Sequence, residues 1–151
     1  MIELKRILLV EDDPKDIELT LAALGEYHLA NEVVTARDGA EALDYLRRQG
    51  PFVERAPGKP AVVFLDLKLP KLNGLEVLRE IKADPELKTI PVVVLTSSRE
   101  SADLKTCYEL GVNAYVVKPV KFNNFLKAVK DIGAFWAILN EAPPGSIRRE
   151  A

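Results

Sequence analysis

Short unbroken apolar runs alternate along the chain with segments whose apolar residues recur every three or four positions. Ile7-Leu8-Leu9-Val10, Ala61 to Leu65, Pro91 to Leu95 and Ala114-Tyr115-Val116-Val117 are runs of the first kind. This is the pattern of strands covered on both faces, as parallel sheets require. Glu32 to Ala36 (EVVTA) reads as a further strand, the second in chain order. Between the runs lie helical patterns with their own stop signals. Asp13 stands as an N-cap before Pro14, and Ile17, Leu21 and Leu24 keep helical spacing until Gly25. Asp38 caps a second helix through Arg48, a third follows Gly74 and ends before Asp84-Pro85, and a fourth runs from Ser101 to Leu110 and closes at Gly111. Five strands alternating with five helical segments predict a doubly wound α/β fold with a parallel sheet.

Two stretches depart from that rhythm. Gln49 to Pro60 holds three prolines and two glycines in twelve residues, which predicts a long surface loop rather than a domain boundary. The last helix, from about Asn123 to Asn140, carries a long apolar stripe that includes Phe125, Val129, Phe135, Trp136 and Leu139. At 1.5 Å per residue it would span about 27 Å, longer than short strands need, so its end is expected to project beyond the domain. The predicted division is a compact domain over 1–140 and a short C-terminal tail over 141–151, with no further domain.

Composition narrows the class without choosing a function. The chain has 151 residues, 48% apolar and 29% charged, as a soluble globular protein does. A net charge of −2 gives no electrostatic case for nucleic acid or an anionic membrane. One cysteine, Cys107, excludes an internal disulfide, and one histidine, His28, excludes a histidine metal cluster. The first residues hold no signal-peptide core and no membrane span, so the cytoplasm is the expected location.

The candidate chemistry lies where the strands end. In a doubly wound sheet, ligands bind outside the carboxyl ends of the strands. There the sequence places Glu11 and Asp12 after the first strand, Asp66 after the third, Thr96 after the fourth and Lys118 after the fifth. Three carboxylates close together repel one another unless a cation sits among them. Mg²⁺ suits such oxygens and commonly shares its shell with a phosphate. Asp66 can then act as a carboxylate nucleophile toward phosphorus, with Lys118 and the metal neutralising the phosphoryl oxygens and Thr96 donating to one of them. No general base or water-positioning glutamine stands out, which favours an acceptor over an enzyme that turns over rapidly.

At Leu9-Val10-Glu11-Asp12, Leu65-Asp66-Leu67-Lys68-Leu69-Pro70 with Gly74, Leu95-Thr96-Ser97 and Ala114 to Pro119, the chain resembles the response-regulator receiver domains of two-component signalling, over about residues 5 to 131. The resemblance implies a flavodoxin-like (βα)5 fold with strand order 2-1-3-4-5. It implies that Asp66 is the phosphoacceptor, that Glu11 and Asp12 hold Mg²⁺ together with Asp66 and the backbone carbonyl of Lys68, and that Lys118 pairs with the phosphoryl group. Thr96 and Tyr115 would be a switch pair acting on the face of helix four, strand five and helix five, and the Lys118–Pro119 bond is usually cis in the family. The proline-rich loop, the Lys71-Leu72-Asn73-Gly74 turn, the stretch from Asp84 to Lys88 and the Phe135-Trp136 tail are similar to the stand-alone regulators that partner bacterial phytochromes. That narrower likeness implies a sensor histidine kinase as donor, possession of no output domain, and homodimerisation, for which Phe135 and Trp136 are the candidate contacts. Lys68 departs from the subgroup, which more often has an uncharged polar residue there.

Two other classes compete. A Mg²⁺-dependent phosphohydrolase with a strand-end aspartate nucleophile would carry a second aspartate two residues on, as general acid. Lys68 occupies that position. A phosphorylation-independent scaffold would have no need of all five strand-end residues.

Overall fold

The computed structural model describes residues 3–119 and 121–150. Five strands, β2 (Ile7–Val10), β3 (Val33–Ala36), β4 (Val62–Leu65), β5 (Val92–Thr96) and β6 (Ala114–Val117), form one parallel sheet in the order β3-β2-β4-β5-β6. Counting those five alone, this is the expected 2-1-3-4-5. Five helices connect and cover them: α1 (Pro14–Gly25), α2 (Gly39–Arg47), α3 (Gly74–Ala83), α4 (Ser101–Glu109) and α5 (Phe122–Ala134).

Alternation along each strand divides the core. Leu8, Val10, Val63, Leu65, Val92 and Val94 face α2, α3 and α4, where they meet Leu43, Leu78 and Cys107. Ile7, Leu9, Val62, Phe64, Val93 and Leu95 face α1 and α5, against Leu24 and Val129. Side chains that alternate between two buried faces explain why these strands read as unbroken apolar runs. Helix starts follow the sequence signals closely. Asp13 accepts from the Lys15 and Asp16 amides, Asp38 from Glu41 and Asn73 from Glu76.

The last helix runs about as far as expected, α5 continuing past Ala134 into one π turn, Phe135–Leu139, but the expectation that its end projects beyond the domain is corrected. This turn folds back beside a strand at the start of the chain, β1 (Glu3–Lys5). Ala137 is fully buried and Lys5 donates from Nζ to the Ile138 carbonyl at 3.1 Å, while Phe135 and Leu139 stay 48% and 73% exposed. The tail then returns as β7 (Arg148–Glu150), which pairs antiparallel with β1. Neither strand has an apolar alternation that would announce it. Each exists because the other satisfies its backbone groups. The Lys118–Pro119 bond is also trans, with no cis peptide among the described residues.

Candidate functional site

Sheet register brings the first acids together. Val10 is paired with Leu65 across β2 and β4, so the next residues, Glu11 and Asp66, leave the sheet side by side. Their amides extend the ladders, Glu11 to the Ala36 carbonyl and Asp66 to that of Val10, both at 3.0 Å. The backbone after Asp66 is held by close packing against the start of α3. A Cβ on Gly74 would stand 2.3 Å from the Asp66 carbonyl oxygen and 2.5 Å from the Leu67 Cα. The Gly74 amide donates to the Leu67 carbonyl at 2.9 Å, and the Lys68 amide lies 3.4 Å from Asp66 Oδ1. The glycine is required here by space, since only a bare backbone fits.

Lys118, one residue beyond β6, closes the cluster. Its amide donates to the Thr96 carbonyl at 2.7 Å, which fixes the main chain. Its ammonium then reaches Glu11 Oε1 at 2.5 Å, Asp16 Oδ2 at 2.8 Å and Asp66 Oδ2 at 3.2 Å. Three N–H groups therefore meet three carboxylates. Burial opposes a charge on Lys118, but the bonds to Asp16 and Glu11 and the charge of Asp66 outweigh it and raise its pKa. Glu11 behaves oppositely. Burial pushes its carboxyl up to about 7, even though Lys118 pulls it down.

Glu11, Asp12 and Asp66 each bring a carboxylate oxygen within 4.8 Å of the others. One lysine lies to one side of this group, and burial, with a smaller contribution from the charge of Asp66, holds the Glu11 carboxyl up. A hard divalent cation fits that donor set, and Asp12, which is exposed, opens it to solvent.

Thr96 and Tyr115 lie to the other side. Thr96 is fully buried, and the Ser98 amide donates to its hydroxyl at 3.3 Å. Tyr115, half-buried against the core, donates from its hydroxyl to the Ser98 carbonyl at 3.1 Å. Ser98 thus joins the two residues, and its own hydroxyl is tied to Asp103 of α4 at 2.6 Å. Phe135 and Trp136 are remote from this cluster in the fold. Their rings meet edge to face with centroids 5.0 Å apart, and Trp136 packs against the α1–α5 core.

Two participants were not singled out from sequence. Asp16 lies in the first turn of α1, three residues after the N-cap Asp13, and only the position of Lys118 shows that it belongs to the cluster. Ser98 has no signal either, because its role comes from the path of the chain after β5.

A family model described as the response regulator receiver domain matches residues 7–130. The response regulator Rcp1 of Synechocystis sp. is 44% identical over 132 residues, which cover 87% of this chain and 88% of that protein. A crystal structure of its Mn²⁺-bound form superposes with a TM-score of 0.86 at 41% identity, covering 92% and 99% of the two chains. The phosphorylated cyanobacterial phytochrome response regulator RcpA gives 0.87 at 44% identity, over 93% of this chain and 99% of that one. The bacteriophytochrome response regulator AtBRR is 64% identical, with a TM-score of 0.72 and coverage of 91% and 99%.

Proposed function

Because the chain belongs to the response-regulator receiver domain family, whose members are signalling switches that partner histidine kinases, we propose that it accepts a phosphoryl group on Asp66 from a sensor histidine kinase. A carboxylate oxygen of Asp66 attacks phosphorus, the bond from phosphorus to the donor imidazole breaks, and an aspartyl phosphate forms. One observation carries the reading: Lys118 bridges Glu11 and Asp66 while the oxygens of Glu11, Asp12 and Asp66 crowd together. Glu11, Asp12, Asp66 and the Lys68 carbonyl would hold Mg²⁺, which when bound neutralises phosphoryl oxygens. Lys118 holds the remaining charge, and Thr96 donates to the phosphoryl group.

Thr96 leaving Ser98 for the phosphate would release the link to Tyr115 and shift α4. The face of α4, β6 and α5 is the proposed output surface, and it exposes Leu104, Tyr108 and Phe122. Large exposed apolar side chains suit a protein contact, which supports homodimerisation there, with Phe135 and Trp136 as further contacts. The likeness to the phytochrome regulators RcpA and AtBRR supports a phytochrome as the sensor.

The test is incubation with Mg²⁺ and acetyl phosphate, comparing wild type with Asp66→Asn by intact mass. One base-labile phosphoryl group on the wild type and none on the variant is expected. No adduct on either, or an equal adduct on both, overturns the assignment. Sedimentation of wild type with and without the phosphodonor tests the dimer, and a monomer in both conditions removes it.

A further inference from the structure

At the amino edge of the sheet, opposite Asp66, lies a cavity of about 330 Å³ with two guanidiniums in its wall. Arg6, between β1 and β2, and Arg55, from the long loop, supply them. Tyr45, Phe52, Val34 and Ile147 make the rest of the wall largely aromatic or aliphatic. Among the described residues, no carboxylate lines it. Among the described residues, the arginine ion pairs are those of Arg47, Arg148 and Arg149, and neither Arg6 nor Arg55 takes part.

The two arginines differ in what holds them. Arg55 lies 4.3 Å over the Tyr45 ring and donates to the carbonyls of Tyr45, Ala56 and Gly58 at 2.8 to 3.0 Å, so it clips the loop shut. Burial lowers its pKa, and the neighbouring charges of Arg48 and Arg6 act in the same direction. The Arg6 side chain makes one long hydrogen bond, from Nη1 to the Tyr45 hydroxyl at 3.5 Å. Its Nε is buried with no partner. A buried donor left unmade costs about 1–3 kcal/mol; this Nε is closed to solvent, so the Nη groups, held by that single long bond, are the donors left for a ligand in the cavity.

We infer that this cavity binds a small organic carboxylate, its anion on Arg6 beside the charge of Arg55 and its apolar body against Phe52, Val34 and Ile147. The site is independent of the phosphoacceptor. Its volume is at the lower end for ligand pockets, which suits an aromatic or short aliphatic acid.

Benzoate is the probe, titrated into the isotope-labelled protein and followed by amide resonances of Val34, Phe52 and Ile147. Saturable shifts are expected for benzoate and not for benzamide, which has the body without the charge, nor for inorganic phosphate, which has the charge without the body. Arg6→Met should weaken benzoate at least tenfold, and Arg6→Lys, which keeps the charge and loses the fork, at least threefold. The Lys variant carries the test if the Met variant fails to fold. No saturation below roughly 10 mM, where binding is negligible, overturns the proposal. So do equal shifts with benzamide or phosphate, and so does unchanged affinity in Arg6→Lys.

Discussion

The two edges of the parallel sheet carry opposite charge, and they are built by different means. At the carboxyl edge, Glu11 and Asp66 extend paired strands, and Lys118 follows β6 directly. At the amino edge, Arg55 comes from a loop, Arg6 from a one-residue break between two strands, and Ile147 from the tail. Acids at the first edge are gathered around one cation, whereas the arginines at the second have no acid among them. Residues that inherit their position from a strand can be placed to within hydrogen-bond distance. Residues from loops and tails must be pinned individually, as Arg55 is by four carbonyls.

The largest effect separates the edges by function. Lys118→Met is expected to cut phosphoryl incorporation from acetyl phosphate by about 10²-fold or more, the usual loss when a charge stabiliser is removed. Arg6→Met should leave the rate within about twofold, since it lies at the far end of the sheet. A Lys118 variant that phosphorylates normally, or an Arg6 variant that does not, would break the contrast.

Next in size is stability, tested with one glycine near each edge. Gly74→Ala forces a Cβ into the Asp66 and Leu67 backbone, and overpacking of this kind costs about 1–3 kcal/mol or more. Gly145, beside the tail, has open space where a Cβ would go but a φ of +87°. Its replacement by alanine is expected to cost about 1 kcal/mol through backbone strain alone. Urea midpoints should fall in that order, and the reverse order would place the tighter packing at the wrong edge.

Glu11 gives the contrast a pH signature. Its folded carboxyl, near 7, holds a proton that an ordinary glutamate at 4.5 has lost. In that window the folded chain binds more protons than the unfolded one, so metal-free stability contributed by this group falls as pH rises and levels off above about 7. The slope is roughly 1 kcal/mol per pH unit at most, read as wild type minus Glu11→Gln in a chelator. Mg²⁺ needs the carboxylate, so its apparent affinity should weaken as pH drops below 7. A Mg²⁺ affinity constant from pH 5.5 to 8 would remove Glu11 from the metal.

These tests also mark what a sequence can convey. The helix caps at Asp13 and Asp38 and the placing of Glu11, Asp12, Asp66 and Lys118 at strand ends are legible because each signal is local, whereas the strand order that turns those ends into neighbours comes from the family resemblance. The pairing of β1 with β7 is not legible. Arg148–Glu150 is an exposed, charged triplet that becomes a strand only where it meets Glu3–Lys5, far away in sequence. The packing of the turn at Phe135–Leu139 is hidden for a related reason. Periodicity announces an apolar face but does not reveal that β1 lies in position to receive it. Nothing in the sequence sets Arg6 apart, and only the converging loop and tail bury its Nε.

Asp16 offers the finest test of how the acidic edge works. Lys118 divides three N–H groups among three carboxylates, and its bond to Asp66, at 3.2 Å, is the longest. Asp16, at 2.8 Å, is set back on α1 and more open to water, with a side chain 27% exposed. Its charge therefore draws the ammonium away from Asp66, the proposed phosphoacceptor. Asp16→Asn keeps the shape and removes the charge, so Lys118 should sit closer to Asp66, and phosphorylation at saturating Mg²⁺ should quicken by about two- to fivefold. A gain of that size corresponds to roughly 0.4–1 kcal/mol, in the range of a partly exposed ion pair. A slower reaction would mean the opposite: Asp16 aligns the lysine instead of competing for it, and the crowding of acids around Lys118 serves to hold that side chain in place.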